Sequence, residues 1–327
     1  FLYNNEDLIL ELRLNLLKKY VDKFVIIEAR YNHSGVIKEN YNFHIENFKK
    51  FKDKIIYLRL EDFPNGLNHW ERENYHRNYI LKALENTHQE DYIIISDIDE
   101  IPNLEEINQV LIDKRKYTAF KQKMIYYKFN LLNASEPDWY GSKMCKLKYL
   151  KNPQWLRKQK VKNYPFYRLD KIKWNIVDKG GWHFSFVMPP EEVSKKIKSF
   201  AHSEFNKKKF TDINQISEKI NSHKDLFDRD LNLIKDSAKL AVDFALIQKS
   251  GVIGKDMDEN DELVLIDFNR IKGGKPFDHS LSWFEDILLD IGQKIEAALS
   301  PTKLEINGAA RTSRSTASPR PSRGCAR

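Results

Sequence analysis

Over the first hundred residues, short apolar runs alternate with segments whose apolar positions recur at helical spacing. Residues 1–3 read as the end of a strand. Residues 6–20 read as an amphipathic helix, with Leu8, Leu12 and Leu16 on one face, Ile9 and Leu17 beside them, and lysines in the last turn. Residues 23–28 (K-F-V-I-I-E) form a second strand, 41–51 a short helix, 54–60 (K-I-I-Y-L-R-L) a third strand and 70–87 a long polar helix. The fourth strand, 91–95 (D-Y-I-I-I), lacks polar alternation, as expected for a strand buried on both faces. Strands alternating with helices predict βαβ units, hence an α/β fold with a mostly parallel central sheet and helices on both faces.

Beyond residue 100 the texture changes. Residues 104–113 pattern as a helix, and 117–130 and 143–150 as longer, mixed, antiparallel strands. The aromatic, basic, proline-containing stretch 152–174 reads as a substrate-facing loop. Residues 180–187 (G-G-W-H-F-S-F-V) read as a strand leaving a Gly-Gly turn. Helices are expected at 191–200, 213–226 and 283–299, with an acidic loop at 256–261. No internal repeat is visible. The expected organisation is one domain over 1–307, with a donor-binding half at about 1–115 and an acceptor and metal half at about 116–300.

The chain of 327 residues is 41% hydrophobic, enough for a substantial core. It contains no run of roughly 18–20 apolar residues that could span a bilayer. It opens at Phe1 inside a strand, as a fragment or processed product would, which leaves a membrane anchor upstream open. Two cysteines, Cys145 and Cys325, provide neither a disulfide framework nor a zinc site, and they favour a reducing, cytoplasmic compartment. The net charge of +8 would suit nucleic acid, but five of the charges are arginines in the last twenty residues, 308–327. That tail has no lysine and no acidic residue, whereas the body carries 40 lysines and 10 arginines. Such a switch points to a foreign or out-of-frame extension, with a natural disordered basic tail as the alternative. No nucleic-acid partner is expected.

The chemistry enters where the fourth strand ends, at S-D-I-D-E-I-P. The carboxyl edge of a sheet is where open α/β folds bind ligands. In extended chain, residues i and i+2 project to one side, so Asp97 and Asp99 are expected to converge. Two hard oxygen ligands suit Mg²⁺ or Mn²⁺ carried by a phosphate-bearing substrate. The competing reading is that the pair caps the helix after Glu100, Pro102 and Asn103.

Three further constellations bear on that choice. Glu28 ends the second strand before A-R-Y-N-H-S-G, a loop able to hold a nucleotide base and ribose, or an ordinary loop whose Glu28 pairs with a basic neighbouring residue. In W-E-R-E-N-Y-H-R, Arg72 or Arg77 suits a diphosphate, while Glu73 and Arg77 are also spaced for simple i,i+4 pairing. In G-G-W-H-F-S, His183 would complete a metal site and Trp182 offer a sugar-stacking face, with a core histidine as the alternative and His202 as a competing ligand. No P-loop, Rossmann fingerprint or nucleophile elbow follows a strand. An aspartyl-phosphate phosphohydrolase also opens on Asp-x-Asp, but near its first strand and followed by a small residue.

Six segments in order, N-x-E-D-L-I-L-E-L-R-L, V-D-K-F-V-I-I-E-A with H-S-G, D-K-I-I-Y-L, W-E-R-E-x-x-x-R, I-S-D-I-D-E-I-P and G-G-W-H-F-S-F, resemble glycosyltransferase family 17 over residues 1–205. This is the family of β-1,4-mannosyl-glycoprotein 4-β-N-acetylglucosaminyltransferase. The resemblance implies a GT-A nucleotide-sugar fold with Asp97 and Asp99 as its Asp-x-Asp. It also implies a UDP-N-acetylglucosamine donor, a glycan acceptor, inversion at the anomeric carbon and Mn²⁺ (or Mg²⁺). The expected reaction places the metal on Asp99, helped by Asp97 and His183. Glu28 and Arg30 would meet the nucleotide, and Glu100 or Asp178 would serve as general base. A non-catalytic carbohydrate-binding protein using the same cleft is the non-enzyme alternative.

Overall fold

A computed structural model describes residues 1–107, 114–129, 131–162, 164–165, 167–168, 170–199 and 203–235. The expected helix at 283–299, the acidic loop 256–261, the tail 308–327, His202 and most of the helix expected at 104–113 lie outside the described residues.

The amino-terminal alternation of strand and helix is present. Helix α1 (Asp7–Leu17) buries Ile9, Leu10, Leu12, Leu14 and Leu17. Strands β1 (Phe24–Ala29) and β2 (Ile55–Leu60) pair in parallel, and Leu2 bridges in parallel to Ile27 on the other side of β1. Helix α2 (His69–Asn78) starts at a capping box in which Asn68 and Glu71 satisfy each other's backbone N–H groups, and a 3₁₀ turn (Tyr79–Ala83) continues it. Glu71 is thereby spent on the cap. Strand β3 (Tyr92–Ile95) leads into the Asp-x-Asp.

The single, mostly parallel sheet expected from this alternation is not what forms. The described strands make three sheets, and two are mixed. One runs β10 (Trp174–Val177), β5 (Tyr117–Phe120), β9 (Lys143–Lys146), β3, in which only β10 and β5 are parallel. Because β9 pairs antiparallel on one side of β3, that strand stands at the edge, and its burial alternates, with Tyr92 exposed and Ile93 and Ile95 buried. The other runs β12 (Leu233–Lys235), β7 (Leu131–Asn133), β6 (Gln122–Tyr126), β11 (Gly181–Ser185), β4 (Glu100–Pro102), with β8 (Asp138–Trp139) also paired to β6. Here β11 is parallel to β6 and antiparallel to β4.

The β4–β11 pairing builds the site. It sets His183 opposite Glu100 and Trp182 opposite Ile101. The Gly-Gly pair makes it possible: a Cβ at Gly180 would lie 2.4 Å from the Lys121 nitrogen, and one at Gly181 2.1 Å from the Ile101 oxygen. Within 152–174, the stretch expected as loop, Pro153–Lys158 is helix α3, capped by the Asn152 side chain. Helix α4 (Pro190–Ser199) and helix α5 (Ile213–Asn221) pack their buried Val193, Ile197, Ile216 and Ile220 with Met124, Tyr126 and Leu131 into a second core beside β6.

Candidate active site

The Asp-x-Asp occupies a turn, not extended chain. The Asp97 carbonyl accepts the Glu100 N–H at 3.1 Å, and the two carboxylates leave the turn toward different partners. Asp97 accepts Arg77 Nη2 at 2.7 Å on one oxygen and Arg157 Nη2 at 2.8 Å on the other. Asp99 accepts Lys196 Nζ at 3.1 Å on Oδ2, while its Oδ1 stands 3.8 Å from His183 Nε2. The convergence expected of the pair is therefore absent, although both residues line one cleft of about 660 Å³.

The turn is held from below. Arg13, on α1 and almost fully buried, donates to the carbonyls of Asp97 (3.1 Å) and Glu100 (2.8 Å) and to Ser96 Oγ (2.5 Å). Burial lowers its pKa to about 10, and the carboxylates of Glu100 and Asp97 oppose that. The same balance governs the acids. Burial pushes the Asp97 carboxyl up, but the guanidiniums of Arg157 and Arg77 outweigh it and hold the group well below the usual carboxylate range. Burial likewise works against Asp99, and Lys196 with His183 brings its pKa below the ordinary value.

Glu100 is buried and fully engaged. Its Oε1 accepts Trp139 Nε1 and Arg157 Nη2, each at 2.6 Å, and its Oε2 accepts the Asp97 N–H at 2.9 Å. A carboxylate buried and tied this way, with Oε1 bonded to Trp139 and Arg157 and Oε2 to the Asp97 N–H, braces the turn, contrary to the expectation of a general base. Asp178, the other residue expected in that role, is exposed in the turn after β10 and does not line the cleft.

The expected nucleotide contacts also move. Glu28 is fully buried and accepts Lys38 Nζ, the N–H groups of Asn42 and Phe43, and the Tyr57 hydroxyl. It pins the chain at 38–43, which is the ordinary-loop alternative. Arg30 lies over the Tyr41 ring at 5.7 Å, outside the cleft lining. Arg72 donates to the His33 carbonyl at 3.2 Å, and its guanidinium lies beneath Gly35, whose φ is +89°. Arg77 does reach the cleft, but Asp97, Glu73 (2.8 Å) and Gln154 (2.5 Å) occupy it.

Trp182 points away from the cleft. Alternation along β11 sends Trp182 and Phe184 into the main core, and His183 and Ser185 toward the cleft. Sugar stacking on Trp182 is thereby ruled out. The indole beside the site is Trp139, whose ring lies 5.0 Å from that of His183 and 5.9 Å from the Arg157 guanidinium.

Among the described residues, no group of three His, Cys, Asp or Glu is arranged to hold a metal. Asp99 and His183 nevertheless offer an oxygen and an imidazole nitrogen to one point, and His183 Nδ1 is buried without a partner. A two-ligand site fits a divalent ion that takes its other ligands from phosphate and water. Asp97, neutralised by two guanidiniums, does not belong to that set.

A family model for glycosyltransferase family 17 matches residues 1–232. The chain belongs to glycosyltransferase family 17.

A glycosyltransferase needs a sugar donor and an acceptor, and the cleft at the Asp-x-Asp is the candidate place for both. Shorter similarities are to other proteins. The chain is 53% identical over 64 residues to a pyrophosphate–fructose 6-phosphate 1-phosphotransferase of Methylotuvimicrobium alcaliphilum, covering 20% of this chain and 16% of that protein. A protein of the same description from Mastigamoeba balamuthi is 45% identical over 71 residues, 22% of this chain and 17% of that one. The chain thus spans only a small part of those relatives. No solved structure matches the chain. No helix among the described residues is long and apolar enough to cross a membrane.

Four residues that hold the candidate site escaped sequence reasoning: Arg13, Trp139, Arg157 and Lys196. Arg157 carried a readable signal, since Asn152-Pro153 is a helix start and places Arg157 in the last turn of α3. Arg13 was equally visible as a charge on the apolar face of α1.

Proposed function

We propose that this family 17 enzyme transfers N-acetylglucosamine from UDP-N-acetylglucosamine to a glycan hydroxyl, with inversion, in the cleft at the Asp-x-Asp. The observation that carries the reading is a pair of possible metal ligands, Asp99 and His183, beside cationic side chains in a cleft of about 660 Å³. That volume falls within the range of roughly 300–1,000 Å³ common to ligand sites.

The diphosphate would be received by Lys158 and Lys196. Lys158 lines the cleft, is exposed and makes no ion pair with any described residue. Lys196 already sits on Asp99. Mn²⁺ or Mg²⁺, held by Asp99 and His183, would supply positive charge to the departing diphosphate. Arg77 and Arg157 hold Asp97 in place and act on the donor through the turn. The proposal includes a GT-A fold, as the family resemblance implies, and a division into a donor half at about 1–115 and an acceptor half at about 116–300.

Calorimetry with UDP-N-acetylglucosamine, with and without Mn²⁺, tests the assignment. Binding should strengthen with the metal and lose that dependence in Asp99→Ala. Slow UDP release by the wild type, absent in Asp99→Ala, distinguishes an enzyme from a carbohydrate-binding protein. Metal-independent binding untouched by the substitution would overturn the mechanism.

A further inference from the structure

An inverting transfer needs a carboxylate able to take a proton, and most acids in the cleft are already committed. Among the described residues, the carboxylates lining it are Glu6, Glu73, Asp97, Asp99, Glu100 and Glu136. Glu73 pairs with Arg77, Asp97 with Arg77 and Arg157, Asp99 with Lys196, and Glu100 with Arg157. Glu6 accepts the N–H groups of Asn4 and Asn5 at 3.0 and 3.1 Å. Glu136 alone has no side-chain hydrogen bond or ion pair with any described residue, and it is exposed to solvent.

Its backbone is held firmly. The segment between β7 and β8 folds around buried Asn133, whose Oδ1 accepts the N–H groups of Ser135 (3.1 Å) and Glu136 (3.2 Å). The Pro137 carbonyl accepts the Met124 N–H at 3.0 Å, and Ser135 Oγ accepts the Asn232 N–H at 2.8 Å. Three residues on, the Trp139 ring lies 5.0 Å from that of His183, tilted by 31°, and its Nε1 donates to Glu100. A rigid loop tied to the metal corner thus presents an uncommitted carboxylate to the cleft, which is what a general base requires.

We infer that Glu136 is the catalytic base of the transfer. The inference rests on the functional reading above and adds the residue that reading lacks. The acceptor hydroxyl oxygen forms the new bond to the anomeric carbon, its proton passes to the Glu136 carboxylate, and the bond from carbon to the UDP oxygen breaks with its electron pair leaving on the β-phosphate.

Glu136→Gln keeps the shape and removes the basicity at an exposed position, and a thermal melt checks that the fold is retained. UDP release from UDP-N-acetylglucosamine should be measured with water and with methyl β-mannoside as acceptors, alongside donor calorimetry. Turnover should fall about 10²- to 10⁴-fold in Glu136→Gln, with KM and Kd for the donor unchanged, and Glu136→Asp should recover part of it. Turnover within about threefold of wild type, or a parallel loss of donor binding, would overturn the assignment while leaving the donor site standing. A wild type that binds no donor in the presence of Mn²⁺ removes the functional reading and Glu136 with it.

Discussion

Arg157 grips Asp97 across 60 positions of sequence, Nη2 to Oδ2 at 2.8 Å, and the same nitrogen reaches Glu100 at 2.6 Å. One guanidinium on α3 therefore joins both ends of the Asp-x-Asp turn. Its helix is in turn anchored by buried Lys143, whose Nζ donates to the carbonyls of Arg157 and Gln159 at 2.5 and 2.7 Å. Burial lowers the pKa of that lysine to about 8, and the Arg157 charge pushes the same way. Removing one partner of a buried ion pair costs roughly 3–5 kcal/mol, because the remaining charge is stranded. Arg157→Ala should lose stability on that scale, since Glu100 is 1% exposed, and Arg157→Lys should recover only part of it. Urea denaturation reads both, and an Arg157→Ala midpoint equal to the wild type would refute the bracing role.

Gly141 gives a second test of the same corner. A Cβ there would lie 1.9 Å from Glu100 Oε1 and 2.3 Å from Trp139 Nε1, both fixed by hydrogen bonding to each other. Neither can yield without breaking a buried contact. Gly141→Ala should lower the melting temperature and slow turnover together, whereas Gly66→Ala, with nothing within 4 Å, should leave turnover unchanged although its φ of +82° costs some stability. Equal turnover in the two variants would contradict the close packing described.

Acid should weaken the fold before Asp97 and Asp99 protonate. His33 Nε2 lies 3.2 Å from His76 Nδ1 at the cleft wall. Burial pushes the His33 pKa down to about 4, against the pull of Glu73, and burial with the charge of neighbouring His33 drives His76 the same way. An unfolded histidine titrates near 6.5. Between those values the unfolded chain binds more protons, so stability falls as pH drops from about 6.5 toward 4. The depressed carboxyls of Asp97 and Asp99 add their loss only below the ordinary carboxylate range. Melting temperatures across this window should decline less steeply in His33→Gln than in wild type; superimposable slopes would exclude the pair as the cause.

Local features of the site were legible, and long-range ones were not. The strand ending at Ile95 and the helix carrying Arg77 follow from spacing alone. The direction of the Asp97 side chain does not, because it is set by Arg157 and by a turn whose carbonyls Arg13 holds from α1. Strand parity could have corrected Trp182: if His183 faces the site, its neighbour in extended chain faces the core. The sheet was misjudged for a different reason. Alternation of strand and helix says nothing about β9, which arrives some fifty residues after β3 and pairs antiparallel beside it. Burial of Glu28 was likewise invisible, since its four donors come from 38–57.

The divergence of the two aspartates predicts a division of labour between them. Asp97 faces two guanidiniums and Asp99 faces His183 and one ammonium. Asp97→Asn strands part of the charge on Arg77 and Arg157, 5% and 17% exposed, so its main effect should be on stability. Asp99→Asn removes a hard anionic ligand and one ion pair but leaves the brace intact, so it should melt closer to wild type than Asp97→Asn while losing the Mn²⁺ dependence of donor binding. Lys196, released from Asp99, would remain available to phosphate. Thermal melts and donor calorimetry on the two variants separate these effects. If Asp97→Asn abolishes the metal effect at unchanged stability, the ion is held by Asp97 and the divergent geometry does not persist when donor binds.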